Sequence, residues 1–92
     1  MEFEWDWTKD RQNQANHGVS FDEGSTVFGD PFALTIDDPD HSSEESRFLT
    51  TGYSDRQRMV IVAHTDRDDR VRLISAREVT STERRTYEDE PR

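Results

Sequence analysis

Residues Arg58 to Val79, RMVIVAHTDRDDRVRLISAREV, constrain the fold more than any other part of the chain. Met59 to Ala63 is a nearly continuous apolar run, the pattern of a strand covered on both faces. Arg70 to Val79 alternates better. Alternation places Val71, Leu73, Ser75, Arg77 and Val79 on one face and Arg70, Arg72, Ile74, Ala76 and Glu78 on the other. Asp66 to Asp69 is too polar to bury and predicts a hairpin loop of about four residues. With that loop Thr65 faces Arg70, and His64 shares a face with Val71 and Arg77. A change of one residue in loop length sets His64 beside Arg72 instead, because register parity decides the face. Both registers stay open.

The rest of the chain supplies partners for this hairpin. Glu2 to Trp5 alternates acidic and aromatic residues, as a short edge strand does. Asp6 caps a helix from Trp7 to about Asn16, which is so polar that Trp7 and Ala15 are left to pack it. His17 and Gly18 mark its end, with glycine in the left-handed cap position. Ser20 to Glu23, SFDE, is a capping box that opens a second helix, stopped by Gly29, Asp30 and Pro31. Phe32 to Ile36 reads as a strand with Phe32, Leu34 and Ile36 on one face, and Arg47 to Tyr53 as the next, turning over Ser54 to Gln57. Thr80 to Glu83, TSTE, is another capping box and starts a last helix, Ser81 to about Glu90, carrying Tyr87. The expected class is α+β: a small antiparallel sheet, two N-terminal helices and one C-terminal helix, in a single domain over residues 1–92.

Composition sets the margins. Leu, Ile, Val and Phe make up 17 of 92 residues and the net charge is -9, values usual for disordered chains. The apolar residues are nevertheless clustered at strand and helix spacing, which argues for a folded chain with a thin core. No cysteine is present, so neither a disulfide nor a thiolate site is available, as suits a reducing cytosol. No apolar run approaches the length of a membrane-spanning helix, and the residues after Met1 do not form a signal peptide. A soluble cytoplasmic protein with no membrane contact is expected. Charge is unevenly spread. Arg56 to Arg85 holds eight arginines against five acids, a local excess of cations on an acidic chain. This excess is either a solvated strand face or a phosphate-binding surface. The polar loop Asp37 to Glu45, DDPDHSSEE, contains His41 among carboxylates, but its spacing matches no metal template, and no metal or cofactor is expected.

An ordered set of motifs carries a family resemblance. FEWD (Phe3 to Asp6), NHGVSFDE (Asn16 to Glu23), VFGDP (Val27 to Pro31), DDPDHS (Asp37 to Ser42), RFLTTG (Arg47 to Gly52), VIVAHTDR (Val60 to Arg67), RLISAR (Arg72 to Arg77) and ERRTYE (Glu83 to Glu88) run in one order and spacing. The set resembles the BrnT family of bacterial toxins over nearly the whole chain. The resemblance implies a RelE-like antiparallel sheet with helices packed on it and cleavage of RNA that inhibits translation. It also implies neutralisation by a co-encoded antitoxin, BrnA, whose ribbon-helix-helix part binds DNA, so that DNA is met only through the antitoxin.

The residues offer compatible chemistry. Metal-free RNA cleavage needs a base for the 2′-hydroxyl proton, an acid for the leaving oxygen, and cations to stabilise the charged phosphorane. Histidine titrates near neutrality and arginine binds phosphate bidentately. His64 is the acid/base candidate, with its ring expected at the solvent-facing rim of the sheet. Arg67 and Arg77 assist it, while Arg72, Arg47 and Lys9 are phosphate contacts. If His64 is structural, Arg67 and Arg77 with a carboxylate such as Glu45 come next. Two other classes remain. One is an interaction module that acts chiefly as antitoxin partner and co-repressor. The other is an acidic nucleic-acid mimic that binds a basic protein.

Overall fold

In the computed structural model, which describes residues 1–40 and 46–89, the expected hairpin is the centre of a five-stranded sheet of order β1-β5-β4-β3-β2. Its strands are β1 (Glu2–Glu4), β2 (Leu34–Asp37), β3 (Phe48–Tyr53), β4 (Met59–Arg67) and β5 (Arg70–Glu78). The helices are α1 (Trp7–His17), α2 (Phe21–Thr26), continued by a 3-10 turn at Val27–Gly29, and α3 (Ser81–Asp89). The architecture is α+β as expected. The sheet is antiparallel except at β1, which pairs parallel to β5 through Glu2↔Arg70, Phe3↔Val71 and Glu4↔Arg72.

Two details of the hairpin correct the sequence reading. Strand pairing continues to Arg67↔Arg70, so only Asp68 and Asp69 form the turn rather than four residues. Asp68 takes φ 56°, a left-handed conformation that aspartate tolerates better than most residues. Polarity forbids burying this segment, but it does not stop the backbone from pairing where the side chains reach solvent. Further along, Ala63 pairs Ser75 while His64 pairs Leu73, a bulge that leaves Ile74 without an opposite residue. The bulge reverses the parity of β5. Ala76 therefore joins Val71 and Leu73 on the core face, and Arg77 turns away with its partner Ile61. Strict alternation would have buried the arginine and exposed the alanine, so the irregularity is what the small core requires.

That core comprises Val19, Phe21, Val27, Val60, Val62, Val71, Leu73 and Ala76, capped by α1 and α2 on what we call the inner face of the sheet. Gly24 lets α2 approach closely, since a Cβ there would stand 3.1 Å from the Cβ of Ala76. Helix α1 docks differently from expectation. Trp7 is 71 % exposed and Ala15 is exposed, whereas Asp10 and Asn13 are buried. Asn13 donates to the Val19 and Ala76 carbonyls (2.8 and 2.6 Å) and accepts from the Ala76 N–H at 3.1 Å. Because β1 covers β5 only as far as Arg72, the peptide groups of Ala76 have no strand beside them, and the carboxamide of Asn13 takes that strand's place. The Asp10 carboxylate accepts from the Phe21 N–H at 2.8 Å, so this polar helix is attached by hydrogen bonds rather than by apolar burial.

The caps follow the sequence in most respects. Asp6 accepts from the N–H groups of Thr8 and Lys9, and Gly18 closes α1 at φ 70°. Thr80 and Glu83 form the reciprocal capping box of α3, with the Thr80 N–H at 2.8 Å from the Glu83 carboxylate and the Glu83 N–H at 3.1 Å from the Thr80 hydroxyl. At α2 only half of the box forms: Ser20 accepts from the Glu23 N–H, but the Glu23 side chain is engaged elsewhere. It is buried, accepts from the Ser54 hydroxyl at 2.7 Å, and is gripped by the Arg58 guanidinium, which also donates to the Gly18 carbonyl and to Glu78. This pair ties α2, the end of α1, the β3–β4 turn and β5 together, and the guanidinium holds the Glu23 carboxyl below its ordinary range against the opposing effect of burial.

Candidate functional site

His64 lies on the inner face of β4 and is 5 % exposed, not turned to solvent at the rim. Its ring packs edge-on to Phe28 (centroids 4.9 Å apart) and stacks with Phe48 (5.8 Å). Nε2 is 2.7 Å from the Thr50 hydroxyl, which is itself 2.7 Å from the hydroxyl of Thr35 on the edge strand β2. Nδ1 is buried and has no hydrogen-bond partner among the described residues. Burial lowers the proton affinity of the ring, partly offset by the charge of Asp66, so the imidazole is held neutral.

The arginines occupy the opposite, outer face. Thr65 pairs Arg72 and Arg67 pairs Arg70, so neither of the two registers left open by the sequence is adopted: His64 opposes Leu73 and shares a face with no arginine of β5. Arg70, Arg72 and Arg67 gather where β4 and β5 meet at the turn, and Arg67 and Arg70 line a depression with Glu4, Asp68 and Asp69. The Glu4 carboxylate, brought in by the parallel pairing of β1, lies 3.0 Å from Arg72 and 3.8 Å from Arg70. Arg47 immediately precedes β3 at the same end of the sheet, where the Thr65 hydroxyl donates to the Ser46 carbonyl. Lys9, exposed on the first turn of α1, borders this end through Asp6. The Asp6 carboxyl is lowered first by the backbone N–H groups of Lys9 and Thr8 and further by the charges of Lys9 and Arg72.

Arg77 stands apart. It is bound bidentately by Glu83 at 2.8 and 2.9 Å, which joins β5 to α3. The ion pair and the Thr80 N–H hold Glu83 at a pKa of about 2, while Arg77 is raised above its ordinary value. The structure thus brings Arg67, Arg72 and Arg47 to one end of the sheet, leaves Lys9 on α1 beyond Asp6, and separates His64 and Arg77 from them. Glu4 and Arg70 were not among the sequence-derived candidates. A parallel contact between residues 68 positions apart leaves no local signal, so Glu4 could not have been found from spacing. Among the described residues no group of three or more His, Asp or Glu is placed to hold a metal ion, and His41 and Glu45 lie outside those residues. Among the same residues no helix is long and apolar enough to cross a membrane.

A small α+β fold with a mixed five-stranded sheet, α1 and α2 on its inner face, and α3 on its outer face with arginines gathered at one end of that face, defines the structural class. The family model for "Ribonuclease toxin, BrnT, of type II toxin-antitoxin system" matches residues 5–83. The chain belongs to the BrnT family of ribonuclease toxins. Its structure is similar to the crystal structure of the Brucella abortus ribonuclease toxin BrnT, with a TM-score of 0.65 and 19 % sequence identity over 88 % of this chain and 99 % of that one. No curated protein matches the sequence.

Proposed function

We propose that this toxin cleaves RNA without a metal ion on the outer face of the sheet, at the end where Arg67, Arg70 and Arg72 surround Glu4. The observation that carries this reading is one partly exposed carboxylate, Glu4, set between Arg70 and Arg72 on a surface open to a strand of RNA. The Glu4 carboxylate takes the 2′-hydroxyl proton, the 2′-oxygen bonds to phosphorus, and the bond to the 5′-oxygen breaks. The departing 5′-oxygen takes a proton from water, leaving a 2′,3′-cyclic phosphate and a 5′-hydroxyl, and Glu4 returns its proton to solvent. Arg67 and Arg72 hold the phosphate and stabilise the charged phosphorane, with Arg47 as a neighbouring contact. Lys9 and Arg77 lie outside this cluster and contribute only long-range attraction. Arg77 has its guanidinium committed to Glu83.

A second reading keeps His64 as acid and base, with Arg67 and Arg77 assisting. It is supported by the buried Nδ1 of the ring, which has no hydrogen-bond partner among the described residues and is free to exchange a proton with a bound ligand. In either case a BrnA-like ribbon-helix-helix antitoxin neutralises the toxin, and DNA is reached only through that partner.

The test is Glu4→Gln, which preserves shape and removes the base. Cleavage measured in EDTA should fall by about 10² to 10⁴, the usual worth of general acid-base catalysis, while RNA affinity stays within about twofold. Normal cleavage by a folded Glu4→Gln variant overturns the assignment, and loss of wild-type cleavage in EDTA overturns metal independence.

A further inference from the structure

Four of the six exposed large apolar side chains among the described residues collect at the β2 end of the sheet: Phe32, Leu34, Ile36 and Tyr53. Ile36 is 60 % exposed and Phe32 is 63 % exposed on a chain with a thin core, so this is apolar surface the fold does not use. Leu34 and Ile36 lead into a groove of about 350 Å³ on the outer face, floored by Leu49 and Ile61 and closed on one side by Val79 and by Tyr87 of α3. The Tyr87 hydroxyl donates to the Phe32 carbonyl at 2.7 Å and fixes that wall. β2 is also the last strand of the sheet, and among the described residues no strand pairs with its outer edge. An open edge, alternate side chains pointing into an apolar groove, and a free row of peptide groups are what an added strand requires.

Charge selects the occupant. Exposed Asp37 and Asp40 follow the groove-lining residues of β2, and the whole chain carries -9. A second copy fits poorly, because two chains of net charge -9 repel and each would bring its own exposed Asp37 and Asp40 to the shared edge. We propose that β2 and its groove receive an extended cationic segment of the antitoxin, which adds a strand to the sheet edge, places alternate apolar side chains in the groove, and sets lysines or arginines over Asp37 and Asp40. This rests on membership of a type II toxin family, which implies a protein antitoxin. The groove shares the outer face with the arginines, so an occupant lies alongside the proposed RNA path.

The probe is a synthetic octapeptide of alternating valine and lysine, titrated into the full chain and followed by amide chemical shifts and hydrogen exchange. The proposal expects shifts and slowed exchange at Leu34 to Asp37, and affinity that weakens with salt. Replacing the peptide's valines with serine should weaken binding about tenfold or more, as should Ile36→Lys in the protein. Ile36→Lys should keep its fold and its RNA cleavage. Perturbation confined to other strands, equal binding of the serine peptide, or equal binding of a valine–glutamate peptide overturns it. So does absence of binding at millimolar peptide, and a wild-type protein that sediments as a dimer disrupted by Ile36→Lys assigns the face to a second copy instead. Wild-type chain that binds the peptide but cleaves no RNA counts against the ribonuclease reading alone.

Discussion

Replacing His64 with phenylalanine distinguishes a buried structural ring from a catalytic one, because the substitution keeps an aromatic ring between Phe28 and Phe48 while removing all proton chemistry. The stability cost follows from the contacts. The bond from Nε2 to Thr50 is lost, worth about 1 kcal/mol, but the Thr50 hydroxyl retains Thr35 as a partner and is not orphaned. Removing the unpartnered buried Nδ1 offsets part of that loss, so His64→Phe should lie within about 1 kcal/mol of wild type. His64→Ala empties the space between the two rings and should cost roughly 3 kcal/mol, in the range of other buried aromatic truncations. The pH dependence gives an independent check. Burial lowers the folded-state proton affinity of His64, so the unfolded chain binds its proton more tightly. Its contribution to stability is complete above an unfolded pKa of about 6.5 and is lost as pH falls from there toward the depressed folded pKa, with a slope of at most about 1.4 kcal/mol per pH unit. That slope should be absent from His64→Phe and should appear in full in the difference between wild type and His64→Phe. Urea unfolding followed by tryptophan fluorescence, at pH 5 to 8, and RNA cleavage on the same preparations supply both readings. Cleavage by His64→Phe should track its folded fraction. A fully folded His64→Phe that has lost a factor of 10² or more in cleavage refutes the structural assignment and selects the second reading.

Arg58→Ala leaves the buried Glu23 carboxylate with only the exposed Arg56 at 4.0 Å as a cation and should cost about 3 kcal/mol by denaturation. Because the folded pKa of Glu23 is lowered, its stabilisation is present above the unfolded value of 4.5 and lost as pH falls through the folded one, so the gap between wild type and Arg58→Ala should narrow in acid; a gap that widens below pH 4.5 contradicts the pairing. Asn13→Ala strands the Ala76 N–H and carbonyl and should destabilise by about 2 kcal/mol with RNA cleavage per folded molecule unchanged. An effect below about 0.5 kcal/mol would show that water replaces the carboxamide. The double variant Arg67→Ala/Arg72→Ala should weaken RNA binding and lower the salt slope by about one to two phosphate contacts, as fluorescence anisotropy across a salt series would show, and an unaltered slope removes this end of the sheet from the RNA path.

Local signals carried much of this protein. The hairpin strands, the Asp6 and Thr80 caps, the Gly18 terminus and the order of strands and helices are all legible in residues 1–92 read alone, because each is set by contacts within a few positions. So was the wealth of arginine between Arg56 and Arg85. What the sequence could not decide was which way those side chains point. A single bulge at Ala63/His64 sends Arg77 outward and Ala76 inward, and a two-residue turn places Arg72 opposite Thr65, so His64 and the arginines part company across the sheet. Glu4 reaches Arg72 only through a parallel pairing, Asn13 finds the peptide groups of Ala76 only because β1 is short, and Glu23 leaves its capping role for Arg58. These choices belong to the tertiary structure because each satisfies a buried charge, an open strand edge or a core volume created by residues far away in the chain.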